Sequence, residues 1–315
     1  MKKNAPPNKI LVAVDGSEQS LLSIRYAANI FPPDNTRIVL FHVQAPLLDL
    51  FSDLNAYPHY KKRVTGLKRW ATEQKVEIDN TMNSALAYFK QKGFPKSAIA
   101  FKTPAETLGV TRDIIKESYN GYQAVVVGRT GLSRFKDWIV KSTAIKLVDK
   151  ISHIPVVVVG GNPDARHLLV AFNGTRGAMK GVVCAGGLIG ASGHNMQLYS
   201  MIGTEEKFWP GENPYFIIDN CVSKIVAEKL EFGVELEEAR TRLIEEEFPT
   251  ERISLKIHCV DRERASRIVE EAETNQFGSI VVGRRGLVTF IDDFFVGRVS
   301  DKVLKLADRL AVWIV

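Results

Sequence analysis

Short apolar runs rich in β-branched residues recur along the chain, at 10–14, 37–43, 99–102, 124–127 and 155–159. Near-continuous apolar runs of this length predict parallel strands buried on both faces. Between them the polar residues return at helical spacing. Segments 20–29, 107–118 and 142–150 read as helices, and 60–92 as a long amphipathic one rich in Lys, Glu, Gln and Ala. Strand and helix therefore alternate, and parallel strands need such helices as right-handed crossovers.

The pattern then repeats. ILVAVDGS at 10–17 is answered by LLVAFNGT at 168–175, AVVVGRTGL at 124–132 by IVVGRRGL at 280–287, and IPVVVV at 154–159 by LAVWIV at 310–315. The spacing between copies is far too long for a solenoid, so the repeat unit is a whole domain. The turn cluster GGNPD at 160–164 is the natural linker. The predicted organisation is two tandem doubly wound α/β domains, 1–160 and 161–315. In the second, 217–247 reads as a long acidic helix or helix pair, and the glycine-rich segment 181–193 reads as core.

Composition changes the picture mainly through charge. The 315 residues carry a formal net charge of +6. Residues 1–160 hold 23 Lys and Arg against 13 Asp and Glu, whereas 161–315 hold 19 against 23. Two oppositely charged halves can face each other as readily as either can face a partner. Only Lys61, Lys62, Arg63, Lys68 and Arg69 cluster, and no aromatic residues interleave with them, so nucleic acid is not an expected partner. No run approaches 18 apolar residues, and no membrane association is expected. The N-terminal MKKNAPPNK lacks a following apolar region long enough for a signal peptide. Cys184, Cys221 and Cys259 are odd in number and lack metal or redox spacing. A cytoplasmic location is the expectation.

Ligands of open parallel sheets bind beyond the C-terminal strand ends, where strand order reverses. Two such ends in the first copy carry chemistry. The first strand closes on Asp15, Gly16 and Ser17, an acid on a tight turn before a helix. The fourth closes on Gly128, Arg129, Thr130 and Gly131, with Ser142 and Thr143 at the start of the next helix. Glycines admit an anion to backbone N–H groups, and a helix N-terminus with a hydroxyl favours phosphate. The alternative, that these glycines only turn the chain, stays open at this point. Other chemistries fail on their motifs. There is no Walker A sequence, no dinucleotide fingerprint, no nucleophile elbow and no metal-ligand spacing among the six histidines. His42, ending the second strand, reads as a packing residue rather than a base.

The paired VAVDGS and VVVGRTGL patterns resemble the universal stress protein family in its tandem two-domain form, over 8–160 and 166–315. The resemblance implies a five-stranded parallel sheet with helices on both faces in each copy, packed as an intramolecular pseudo-dimer through the final strands. The family's ATP-binding members share G-x2-G-x9-G-[ST] and the first-strand Asp. The first copy matches at Asp15, Gly128, Gly131 and Ser142, but Lys141 stands at the third glycine. Val43, Arg129 and Thr143 complete its candidate set, with Lys141 and Arg129 expected to offset phosphate charge. The second copy keeps Gly283, Gly286 and Gly297, with one extra residue before Gly297. Arg298 replaces its hydroxyl and Asn173 its acid.

These residues point to a stress-response protein that binds ATP or another adenine nucleotide weakly, through the first copy, as a sensor or adaptor. At most slow ATP hydrolysis is implied, because no general base beyond Asp15 is present. Two alternatives remain. One is a nucleotide-free scaffold with degenerate sites. The other is a binder of a hydrophobic ligand through Phe290, Phe294 and Phe295 of the second copy. The segments 44–92 and 202–248 are expected to meet an unknown protein partner, with a further homodimer as another possibility.

Overall fold

The computed structural model describes residues 7–44, 61–129, 143–164, 166–190, 192–203, 216–219, 231–260, 263–284 and 298–315. In the first half β1 (Asn8–Ala13), β2 (Thr36–Phe41), β3 (Ile99–Lys102), β4 (Ala124–Gly128) and β5 (Val156–Val159) alternate with helices. These are α1 (Glu18–Ile30), α2 (Lys61–Gln91), α3 (Val110–Ser118) and α4 (Thr143–Lys150). The second half runs β6 (His167–Phe172), α5 (Arg176–Ile189), β7 (Asn195–Gly203), β8 (Phe216–Asp219) and α6 (Glu231–Glu245). It then continues through β9 (Ile253–Val260), α7 (Arg264–Thr274), β10 (Ser279–Val282), α8 (Arg298–Leu306) and β11 (Ala311–Ile314).

All eleven strands form one sheet in the order β3-β2-β1-β4-β5-β11-β10-β6-β7-β9-β8. Each half is parallel within itself. The halves meet where β5 and β11 pair antiparallel, Val157 opposite Trp313 and Val156 opposite Ile314. Alternate residues of each strand feed two apolar layers that run through both halves. Val12, Val126, Val157, Trp313, Val281 and Val170 face the layer under α1, α2, α5 and α6. Leu11, Val125, Val156, Val312, Ile280 and Leu169 face the layer under α3, α4, α7 and α8. Burial on both faces explains why these strands read as unbroken apolar runs rather than alternating ones.

Three expectations change. Among the described residues the second half contributes six strands, not five, because Phe216–Asp219 pairs parallel with β9 at the sheet edge. The segment expected to be helical from 217 therefore starts as strand. Its FIID sequence has β propensity, and the outer edge of β9 supplies the hydrogen bonds that decide the matter. Among the described residues the next helix is α6, and 220–230 lie outside them. Of the glycine-rich 181–193 segment only the α5 part belongs to the core, with Gly181 and Gly186 buried, whereas Gly193, beyond the helix end, is exposed.

Candidate functional site

The two halves build their β1 and β6 ends alike. Asp15 Oδ1 accepts from Ser17 N at 3.0 Å and Ser17 Oγ at 2.5 Å. Ser17 Oγ in turn accepts from Ser20 N at 3.2 Å and caps α1. In the second half Asn173 Oδ1 accepts from Thr175 N at 3.4 Å and Thr175 Oγ1 at 2.7 Å, and Thr175 caps α5 through Ala178 N. Between acid or amide and hydroxyl sits a glycine in the left-handed region, Gly16 at φ +83° and Gly174 at φ +73°. Asn therefore preserves the turn while removing the charge, since the turn needs only an acceptor oxygen. Asp15 and Asn173 are both exposed.

Gly128 ends β4 next door. The β1–β4 register, Val12 opposite Val126, brings Gly128 level with Val14, one residue short of Asp15. The strand order 3-2-1-4-5 reverses between these two strands, so Asp15 and Gly128 flank the switch point. In the second half β6 and β10 do the same for Phe172 and Gly283. Val43 is buried among Val39, Phe41 and Val127 rather than open at the strand end. His42 takes its expected packing role, with Nδ1 2.8 Å from Val14 O.

The glycines have a second reason to be glycine. A Cβ on Gly128 would lie 2.9 Å from Gln19 O and 3.0 Å from Ser23 Oγ. On Gly283 it would overlap the Gly177 carbonyl and lie 2.7 Å from Ala178 N. These glycines let α1 and α5 lie against the sheet, a role distinct from turning the chain or cradling an anion. Residue 19 extends the contact in the first half, where Gln19 Nε2 donates to Val159 O at 2.8 Å.

Arg129, expected to offset phosphate charge, is directed elsewhere. Its N–H donates to Val159 O at 2.8 Å, extending the sheet, and its guanidinium bonds the carbonyls of Leu304 and Ala307 in the other half. Arg284 N likewise donates to Val315 O at 2.6 Å. Both backbone donors that directly follow the first glycine are therefore spent on the neighbouring strand. Thr143 opens α4 and is half-buried. Arg298 opens α8. Gly131, Lys141, Ser142, Gly286 and Gly297 lie outside the described residues, as do Phe290, Phe294 and Phe295.

A hollow of about 500 Å³ adjoins the Asp15–Gly16 turn between α1 and α2, lined by Gly16, Leu21, Val76, Glu77, Asn80 and Ser84 among others. In the second half α6 approaches the equivalent turn. The Glu235 carboxylate lies so near Gly174 that a Cβ there would overlap it. Among the described residues no three His, Cys, Asp or Glu side chains gather as metal ligands, and no helix is long and apolar enough to cross a membrane.

A model of the universal stress protein family matches residues 7–160 and 222–315, and the chain belongs to that family. Among solved structures it is similar to a universal stress protein from Archaeoglobus fulgidus, with 16% identity, a TM-score of 0.62, and coverage of 98% of this chain and 97% of that one. It is also similar to a functionally unknown protein from Pseudomonas aeruginosa PAO1, at 14% identity, TM-score 0.50, and 98% and 92% coverage. A universal stress protein in complex with cAMP aligns with 48% of this chain and 95% of its own, at 19% identity and a TM-score of 0.33. No curated protein sequence matches.

Proposed function

We propose that this universal stress protein binds an adenine nucleotide, ATP in the first instance, weakly and in its first half, as a sensor or adaptor in a cytoplasmic stress response. The observation that carries this reading is the placement of Asp15 and Gly128 on either side of the β1/β4 switch point. An acid there suits the adenine amino group, and Thr143 at the start of α4, preceded in sequence by Ser142, suits phosphate. The first half is preferred because its sequence keeps the acid and the hydroxyl. With the Arg129 N–H and guanidinium engaged elsewhere, Lys141 is the cation left to the phosphates in the candidate set.

Calorimetric titration with ATP tests the reading. Wild type should bind, and Asp15→Ala should weaken binding roughly tenfold, the loss of one hydrogen bond to a charged group. Lys141→Gly should weaken binding if the lysine pairs with phosphate, and strengthen it if the lysine obstructs. No heat from wild type or Lys141→Gly would discard the nucleotide reading.

A nucleotide-free scaffold is the second reading, and a specific observation favours it. Helix packing already accounts for Gly128 and Gly283, and docking between the halves already accounts for Arg129. The outer faces of α2 and α6, one basic and one acidic by sequence, are the surfaces we assign to a protein partner or a second copy. Contacts between such exposed charges should weaken as salt rises.

A further inference from the structure

The arginine that follows the first glycine in each half crosses to the other half. Arg129 Nη2 donates to Leu304 O and, at 3.1 Å, to Ala307 O, both at the C-terminal end of α8. Arg284 Nη1 donates to Val148 O at 2.6 Å, in the last turn of α4. The contact is thus made twice, reciprocally, by repeat-related residues. The last carbonyls of a helix have no partner within it, and the negative end of its dipole favours a cation. Asp308 lies close enough to Arg129, and Asp149 to Arg284, to favour the charged guanidinium in each case. Burial works against them, lowering Arg129 from its ordinary value and Arg284 to about 10. Among the described residues, buried Nε of both arginines and Nη2 of Arg284 have no partner, so the carbonyls of the opposite helix are the bonds that hold them.

The helices they grip are not arbitrary. α4 begins at Thr143, a member of the first half's candidate set, and α8 begins at Arg298, which belongs to the candidate set of the second half. Each arginine also sits directly after the glycine that flanks its own switch point. We propose that Arg129 and Arg284 are reciprocal positioning residues, each setting the last helix of the opposite half and so coupling the two candidate sites. In its ligand part this rests on the nucleotide reading above. Arg284 grips α4 at its C-terminal end, yet it should influence binding at the N-terminal end of the same helix.

The test uses the full chain and two readouts. Amide hydrogen exchange is followed in 143–150 and 298–306 for wild type, Arg284→Met, Arg284→Lys and Arg129→Met, and the same proteins are titrated with ATP by calorimetry. Loss of a hydrogen bond from a charged group should speed exchange roughly tenfold. For Arg284→Met that acceleration should fall on 143–150 and spare 298–306, and for Arg129→Met the converse. Arg284→Lys should restore most of the protection, because the charge at the helix end returns. ATP affinity of Arg284→Met should fall by a similar factor. Acceleration confined to each arginine's own half, or spread evenly over both, overturns the proposal. So does unchanged ATP affinity in Arg284→Met when wild type binds. If wild type binds no ATP, the nucleotide reading fails on its own and the exchange pattern decides the helix coupling.

Discussion

Gly283 shows how a residue chosen for one apparent purpose can serve another. In the sequence it belongs to a phosphate-loop pattern, whereas in the fold it is the point of closest approach between β10 and the first turn of α5. Because a methyl group would meet backbone atoms that cannot rotate away, Gly283→Ala should destabilise the protein by about 3 kcal/mol or more. Gly128→Ala meets Gln19 and Ser23 at longer distance, and about 1–3 kcal/mol is expected. Urea denaturation of both variants measures this, and a harmless Gly283→Ala would contradict the packing role. Asp15 and Asn173 were legible as a pair from sequence, and their shared turn shows why one oxygen acceptor can replace another. Nothing in the sequence showed where Arg129 would point, since its acceptors lie about half a chain away.

At the level of elements, contacts between the halves involve more than strands. Tyr26 of α1 places its hydroxyl 2.6 Å from Ser279 Oγ on β10, and Trp313 Nε1 on β11 donates to it at 2.8 Å. Nearby, His194, just before β7, has Nε2 3.1 Å from Asn29 O near the end of α1 and Nδ1 against Ser192 Oγ. Burial lowers the His194 pKa, with the neighbouring Arg252 and His167 adding to the effect and the Asn29 carbonyl and Asp164 opposing it. A depressed folded-state value means that the unfolded chain takes up the proton first. This contribution is therefore present above the unfolded value of about 6.5 and is lost as pH falls below it. Wild-type stability should decline as pH falls below about 6.5 more steeply than that of His194→Gln. Superimposable denaturation profiles would remove His194 from the account.

For the whole molecule, β5 and β11 are the central pair of one continuous sheet. Val156, Val157 and Val159 have no exposed surface, and each fully buried valine is worth about 1.5–3 kcal/mol relative to an exposed one. A first half expressed alone as 1–160 would present β5 as an apolar open edge, and such edges recruit other strands. It should self-associate or precipitate, and sedimentation of a stable monomer at high concentration would show that the halves do not depend on each other. The intact chain should instead unfold as one cooperative unit by calorimetry, because both apolar layers pass through the junction.

The sequence alone determined the alternation of strand and helix, the duplication, the turns at Asp15 and Asn173 and the glycines at the strand ends. All of these follow from local periodicity and backbone freedom, which a window of a few residues records. Tertiary structure decided the rest. The edge of β9 made strand of Phe216–Asp219, the close approach of α1 and α5 required Gly128 and Gly283, and antiparallel pairing of β5 with β11 brought each arginine to the helix end of the opposite half. Those outcomes depend on groups distant in sequence whose meeting is fixed only when the sheet closes, and buried carbonyls and N–H groups must then be satisfied by whatever the fold has placed beside them.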